Sequence, residues 1–282
     1  MADWAPKKVK YITNRDLLGE IQRSKATFCH FSASEYANYD AIVTNTEDLT
    51  PEFLAATLLT KLARLGKLQI ASDGITSANV VFRVMSDQHL PEETNEKRRR
   101  KSTSGGWIPR TPFPPFQHFV LHGDLLIEVG RSHWKGDLEN GQFSSTHGKI
   151  TERLASMFLL LVEQYSRRGN WRGYSYLADM RGQALVQLSQ VGLQFDESRS
   201  DNPFAWYTQI VKNSFRRSLL LEKRNQDIRD DLLVMHGAMP SYTRQVDDDL
   251  EQKALLESGT AEAPAKKEAK KRGRKPKPRD RE

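Results

Sequence analysis

The chain has 282 residues, 38% hydrophobic and 28% charged, with a formal net charge of +7. That length allows one or two domains, each with its own core. The single Cys29 excludes an intramolecular disulfide framework and the cysteine-rich zinc patterns. With no bilayer-length apolar run and no secretion signal after Met1-Ala2-Asp3-Trp4, a cytoplasmic protein is expected.

The segment Val9 to Leu18 reads as a short extended piece entering a helix that runs to about Ser24, with Thr13 as N-cap and Asp16 in the first turn. A second helix starts at Thr50-Pro51-Glu52 and closes at Gly66, with Phe53, Leu58, Leu62 and Leu65 on one face. Residues 80–84 read as a strand. Residues 91–116, with the run Lys97-Arg98-Arg99-Arg100-Lys101 and a Pro-rich end, read as an exposed linker or long loop, the basic run solvated. Residues 119–129 predict a hairpin turning at Gly123-Asp124.

From Thr151 the pattern is helical. Leu154, Phe158, Leu161 and Tyr165 mark one helix, stopped at Gly169, and Leu177, Met180, Ala184, Leu188 and Val191 mark the next. A third begins at Asn202-Pro203 and runs through about Glu222 or beyond. A fourth is expected between Asp227 and Met235, and residues 247–257 read as one further helix. From about Ser258 there is no apolar periodicity, so a disordered basic tail is expected. Residues 266–282 hold ten Lys/Arg against three acids, which leaves 33 charges of each sign in residues 1–265. Attraction to phosphate therefore belongs to the tail and to local faces of a neutral body.

At 100° per residue the helix from Pro203 places Phe204, Tyr207, Val211, Phe215 and Ser218 on a core stripe. Trp206, Ile210, Asn213, Arg217 and Arg224 fall on a second, and Lys212, Arg216 and Lys223 on a third. An indole among arginines suits nucleic acid, because aromatics stack on unpaired bases while cations follow the backbone. The competing reading packs Trp206 beneath the preceding loop.

His118 and His122, with His133 and His147, would share a face only on a helix, and their segment reads as strand. No metal site, phosphate loop or nucleophile elbow is found, so neither enzyme nor cofactor is expected.

The stretches 177–185 and 192–196, followed by Asn202-Pro203-Phe204-Ala205-Trp206-Tyr207-Thr208-Gln209, resemble the helical core of bacterial sigma factors. They are especially similar to the late-transcription sigma factors of T-even-type phages, as is the opening Tyr11-Ile12-Thr13-Asn14-Arg15-Asp16-Leu17-Leu18. The likeness covers about residues 9–25 and 150–245. It implies a subunit that binds bacterial RNA polymerase core and melts a -10-like element at AT-rich late promoters. By position, Asp179, Met180 and Gln183 would contact the clamp helices of the largest subunit. Phe204, Trp206 and Tyr207 would be melting aromatics, and Gln209, Lys212, Asn213, Arg216 and Arg217 the base and backbone contacts.

The sigma tryptophan pair falls at Ile210-Val211, and no second promoter-reading helix-turn-helix follows residue 245. The resemblance also implies a phage coactivator and a sliding clamp as partners. The family's clamp-gripping acidic tail is replaced by Lys270 to Arg279, where Arg272-Gly273-Arg274 resembles an AT-hook that would reach a narrow minor groove, though a lysine precedes the proline. The competing reading is a non-specific polybasic tail that raises DNA affinity. An architectural AT-rich-DNA-binding protein is the alternative function.

The expected fold is mainly α: a sigma region 2-like bundle with an inserted mixed α/β module and a disordered basic C-terminal tail. The expected domains are an N-terminal helix in 1–29, the insertion in 30–148, the helical domain in 149–257 and the tail in 258–282.

Overall fold

The local signals that begin helices in this sequence are honoured in the computed structural model, which describes residues 11–44, 48–67, 80–92, 99–102, 106–123 and 125–257. The helix α1, Asn14–Ala26, is capped by Thr13, whose hydroxyl accepts from the Asp16 N–H at 3.1 Å. The helix α2, Pro51–Lys67, begins where Thr50 Oγ1 accepts from Phe53 N–H. The helix α3, Glu152–Ser166, is capped by Thr151, and α4 spans Leu177–Val191. The long helix α5, Pro203–Met235, opens with the Asn202 carboxamide accepting from Ala205 N–H. It absorbs the separate helix expected over 227–235, since neither Gly nor Pro interrupts the chain between Pro203 and Gly237. The helix α6, Tyr242–Glu257, follows.

The fold is an α/β mix, which corrects the expectation of a mainly α bundle. Five strands form one mixed sheet in the order β1-β7-β6-β3-β2. They are β1 Cys29–Phe31, β2 Ala41–Val43, β3 Val81–Val84, β6 Gln117–His122 and β7 Leu125–Ser132. Only β2 and β3 pair in parallel, Ile42 opposite Arg83; the other neighbours are antiparallel. The expected hairpin is β6–β7; Gly123 takes φ 65° at its turn, while Asp124 lies outside the described residues. Two small pairs, β4 Arg99–Lys101 with β5 Trp107–Pro109 and β8 Trp134–Lys135 with β9 Gln142–Phe143, are the other strands among the described residues.

The expected linker 91–116 is not all exposed loop among its described residues; Lys97 and Arg98 of its basic run lie outside them. Its residues 99–101 and 107–109 pair as strands, and Ile108, Phe113 and Phe116 are buried. Phe28, Phe113 and Phe116 share one core with Leu17 and Ile21 of α1 and with α3, α4 and α5. Sheet-side aromatics thus fill the space between helices, and Phe113 and Phe116 carry the helical core across residue 148. On the other side of the sheet, Phe53, Leu54 and Leu58 of α2 cover Val43, Val80, Phe82 and Val84.

The chain divides into two units, 1–219 and 220–282. In the second, Asp230 accepts from the Ser241 N–H at 2.9 Å and from its hydroxyl at 2.6 Å, holding the turn between α5 and α6. The tail from 258, including Arg272 and Arg274, lies outside the described residues, so the structure says nothing of the AT-hook-like stretch. No described helix is long and apolar enough to cross a membrane.

Candidate nucleic-acid interface

The interface is built on the first half of α5. Tyr207, Val211 and Phe215, spaced four apart, are fully buried, and Phe215 packs edge-on against Tyr165 and Trp171. Tyr207 donates its hydroxyl to the Gly192 carbonyl at 2.8 Å and stacks edge-on against Phe158, and burial pushes its phenol pKa up. Tyr207 is thus a core residue, which removes it from the melting aromatics. Trp206 is half-buried, its ring 5.6 Å from Phe195 and 5.0 Å from Tyr207. The loop-packed reading of Trp206 accounts for that position, because an indole releases more free energy by covering aromatic neighbours than by standing among guanidinium groups.

With the core direction fixed by Tyr207, Val211 and Phe215, the outward face of α5 follows. Residues four apart lie one above the other. Phe204, Thr208, Lys212 and Arg216 form one row, and Gln209, Asn213 and Arg217 form the row beside it. Phe204, Gln209, Lys212, Asn213, Arg216 and Arg217 are all exposed. Gln209 Nε2 donates to Asn213 Oδ1 at 2.8 Å, so the two amides are held as a pair.

The first row starts at a groove. Phe204 and Thr208 line it from α5, Leu160, Leu161, Gln164, Tyr165 and Arg168 from α3, and Tyr11 and Ile12 from the segment entering α1, around a volume of about 370 Å³. Tyr11 is 78% exposed and Phe204 43%, so two aromatic faces stand open at one cleft. Arg168 lies 4.5 Å over the Tyr165 ring. Asn14 Oδ1 accepts from Phe204 N–H at 3.0 Å, fixing the start of α5 to the start of α1. The stretch Tyr11-Ile12, matched only by resemblance in the sequence, thereby belongs to the same site as Phe204. Periodicity along α5 alone could not reveal it.

On α4, Met180, Ala184 and Leu188 are fully buried. Met180 is thus withdrawn from the proposed polymerase contacts; an apolar residue in the a/d-like stripe of its helix belongs to the core. Asp179 and Gln183 are exposed one turn apart, and Val186, 50% exposed, extends their row. Val186 was missed because an apolar residue in a helix is first assigned to the core, although its i+7 spacing from Asp179 was visible.

Behind these faces lies an ionic cluster that sequence reasoning did not find. Lys25 Nζ donates to Glu197 Oε2 at 2.7 Å and to the Phe195 carbonyl at 2.7 Å, all three buried. Arg83 places Nη1 3.8 Å from Glu197 Oε1, and its guanidinium lies 3.8 Å from the centre of the Phe116 ring and 4.0 Å from that of Tyr39. Arg83 Nε donates to His118 Nε2 at 3.0 Å, and His118 Nδ1 faces the Tyr36 carbonyl at 2.6 Å. Burial lowers the Lys25 and Arg83 pKa values, while Glu197 beside each raises them again. The cluster binds α1 and β3 to the stretch that leads into α5. Two signals pointed to it: Lys25 continues the apolar stripe Leu17-Ile21 at i+4, and Arg83 sits between Phe82 and Val84 in a strand buried throughout.

Among the histidines, His118 and His133 are buried and His122 is exposed. Among the described residues no group of three or more His, Cys, Asp or Glu is placed to hold a metal. No protein-family model, curated protein or solved structure matches the chain.

Proposed function

We propose that this chain is a sigma-type specificity subunit that binds bacterial RNA polymerase core and, without catalysis of its own, opens an AT-rich promoter element by trapping the unpaired strand. The observation that carries this reading is the α5 face. An aromatic-lipped groove at Phe204 and Tyr11 continues into exposed rows of Lys212, Arg216 and Arg217 with the amides of Gln209 and Asn213.

A protein that hydrolyses no nucleotide can open DNA only by binding the open form better than the closed one. Unstacked bases need aromatic surface, worth roughly 1–3 kcal/mol each, and AT-rich steps cost least to unstack. Phe204 and Tyr11 supply the surface, and the cationic rows follow the phosphates. Asp179, Gln183 and Val186 give α4 a small outward face of mixed chemistry for a helical partner, and the resemblance names that partner as the clamp helices.

The test is binding of the full chain to bacterial core polymerase, followed by run-off transcription from an AT-rich promoter. Asp179→Ala with Gln183→Ala is expected to abolish core binding. Phe204→Ala with Tyr11→Ala is expected to keep core binding and lose promoter opening, read by permanganate reactivity of unpaired thymines. A parent chain that binds duplex DNA but not core polymerase overturns the proposal in favour of an architectural DNA-binding protein.

A further inference from the structure

In the second half of α5, Leu221, Asn225, Ile228, Leu232 and Met235 follow one another at alternating steps of four and three, the spacing of a coiled-coil seam. The four apolar members are between 49% and 79% exposed. Gln226 and Asp230, which hold Ser241 at the entry to α6, stand on the opposite side of α5, so α6 leaves the seam open. Asn225, the polar member, donates to Glu222 Oε1 at 3.4 Å, which gives its amide a partner within the helix. Such a stripe repays burial against a second helix.

We propose that this seam joins two copies of the chain as an antiparallel coiled coil, with Leu221 against Leu232 of the second copy and Ile228 against its Asn225. The charges beside the seam select that arrangement. Glu222 and Arg229 border one flank, Arg224 and Asp231 the other. Arg224, Arg229 and Asp231 are exposed and Glu222 is half-buried. Antiparallel helices bring like flanks together, so Glu222 meets Arg229 of the second copy and Arg224 meets its Asp231, and the two-fold axis makes each pair twice. Asp231 has Arg244 of its own chain 3.6 Å away, a loose surface pair. Parallel helices would instead set Arg224 against Arg229 of the second copy. Sliding the antiparallel pair by one heptad also opposes like charges: Arg229 and Asp231 meet their own copies in one direction, Glu222 and Arg224 in the other. A partner of different sequence would not need this helix to be complementary to itself. The proposal goes beyond promoter opening and requires neither polymerase nor DNA.

Two heptads make a small interface, so a weak dimer is expected, with a dissociation constant on the order of 10 µM. Sedimentation equilibrium of the full chain, freed of nucleic acid, reads it between about 1 and about 200 µM. Ile228→Ala with Leu232→Ala is expected to weaken association at least about tenfold. Circular dichroism should keep the parent's helix content, because the seam is exposed and alanine favours helix. Arg229→Glu is expected to weaken the dimer about three- to tenfold by facing Glu222 of the second copy, and adding Glu222→Arg should return it to within about threefold of the parent. A parent chain that stays monomeric across the whole range overturns the proposal. So does a dimer indifferent to the double alanine variant, whose interface then lies elsewhere. A tighter dimer from Arg229→Glu is the mark of parallel pairing and overturns the arrangement, as does a charge swap that fails to restore association. Polymerase and DNA are absent from every measurement, so failure of the promoter reading leaves these outcomes intact.

Discussion

Arg83 and the pair Arg216 and Arg217 carry the same side chain to opposite ends. Arg83 is 2% exposed, enclosed by the rings of Tyr39 and Phe116, with Glu197 and His118 at its polar edge. Arg216 and Arg217 stand in solvent on α5. A guanidinium taken out of water must find its charge and hydrogen bonds inside the protein, and it then fixes the segments that supply them. One left in water contributes little to the fold and stays available for a phosphate. Removing charge should therefore cost stability in the first place and binding in the second.

The largest effect is expected at the buried end. Glu197→Ala would leave Lys25 and Arg83 buried without their counter-charge, a situation that typically costs about 3–5 kcal/mol. Urea unfolding is expected to show a much lower midpoint, and Glu197→Gln an intermediate loss, since an amide oxygen can still accept from Lys25. A Glu197→Ala chain as stable as the parent would show that the cluster does not hold the stretch before α5.

Acid should attack two histidines, the buried His118 in this cluster and the half-buried His89 beside the Ser132 carbonyl. Burial, reinforced by Arg83, holds His118 down at about 3, and burial holds His89 down at about 4, against an ordinary value near 6.5. Geometry gives the reason at His118: with Nδ1 directed at the Tyr36 carbonyl, Nε2 must stay unprotonated to accept from Arg83. The unfolded chain takes up these protons below about pH 6.5 and the folded chain does not. Stability from this source is complete above that pH and falls as the pH drops towards 4, by at most roughly 1.4 kcal/mol per pH unit for each group. Melting temperatures from pH 7.5 down to 4.5 are expected to fall. His118→Gln, whose amide can still donate and accept, is expected to flatten part of that fall.

The same contrast explains what could be read from the chain. Thr13, Thr151 and Asn202 announce helix starts because a cap and the amides it satisfies lie within three or four residues. Tyr207, Val211 and Phe215 announce the inner face of α5 for the same local reason. The sheet depends on partners far apart in sequence, such as the parallel pairing of Ile42 with Arg83, and no local pattern encodes that register. Lys25, Arg83 and Glu197 were passed over because a charged residue read alone belongs at the surface; only their meeting makes burial tolerable. Tyr207 and Met180 were given to function by resemblance and are held by the core instead. Phe204, which periodicity set on the core stripe, is 43% exposed because it stands in the first turn of α5 at the edge of the groove, and Tyr11 joins it by a fold contact that no motif spells out.

The smallest stability effect is expected where the effect on binding should be clear. Lys212→Ala, Arg216→Ala and Arg217→Ala together remove three exposed cations from a helix whose inner face stays intact, and alanine is the best helix former. The unfolding midpoint should therefore move by no more than about 0.5 kcal/mol equivalent. Binding of a promoter strand should nevertheless lose up to about 2 units of salt slope, at roughly 0.7 per single-strand phosphate contact. If the triple variant is instead strongly destabilised, these side chains serve the fold as Arg83 does. If it is stable and binds single-stranded promoter DNA with the parent's salt dependence, the phosphates lie elsewhere and the outward face of α5 is only solvated. A stable chain with a flattened slope is the one result that assigns the exposed arginines to nucleic acid and leaves Arg83 to the core.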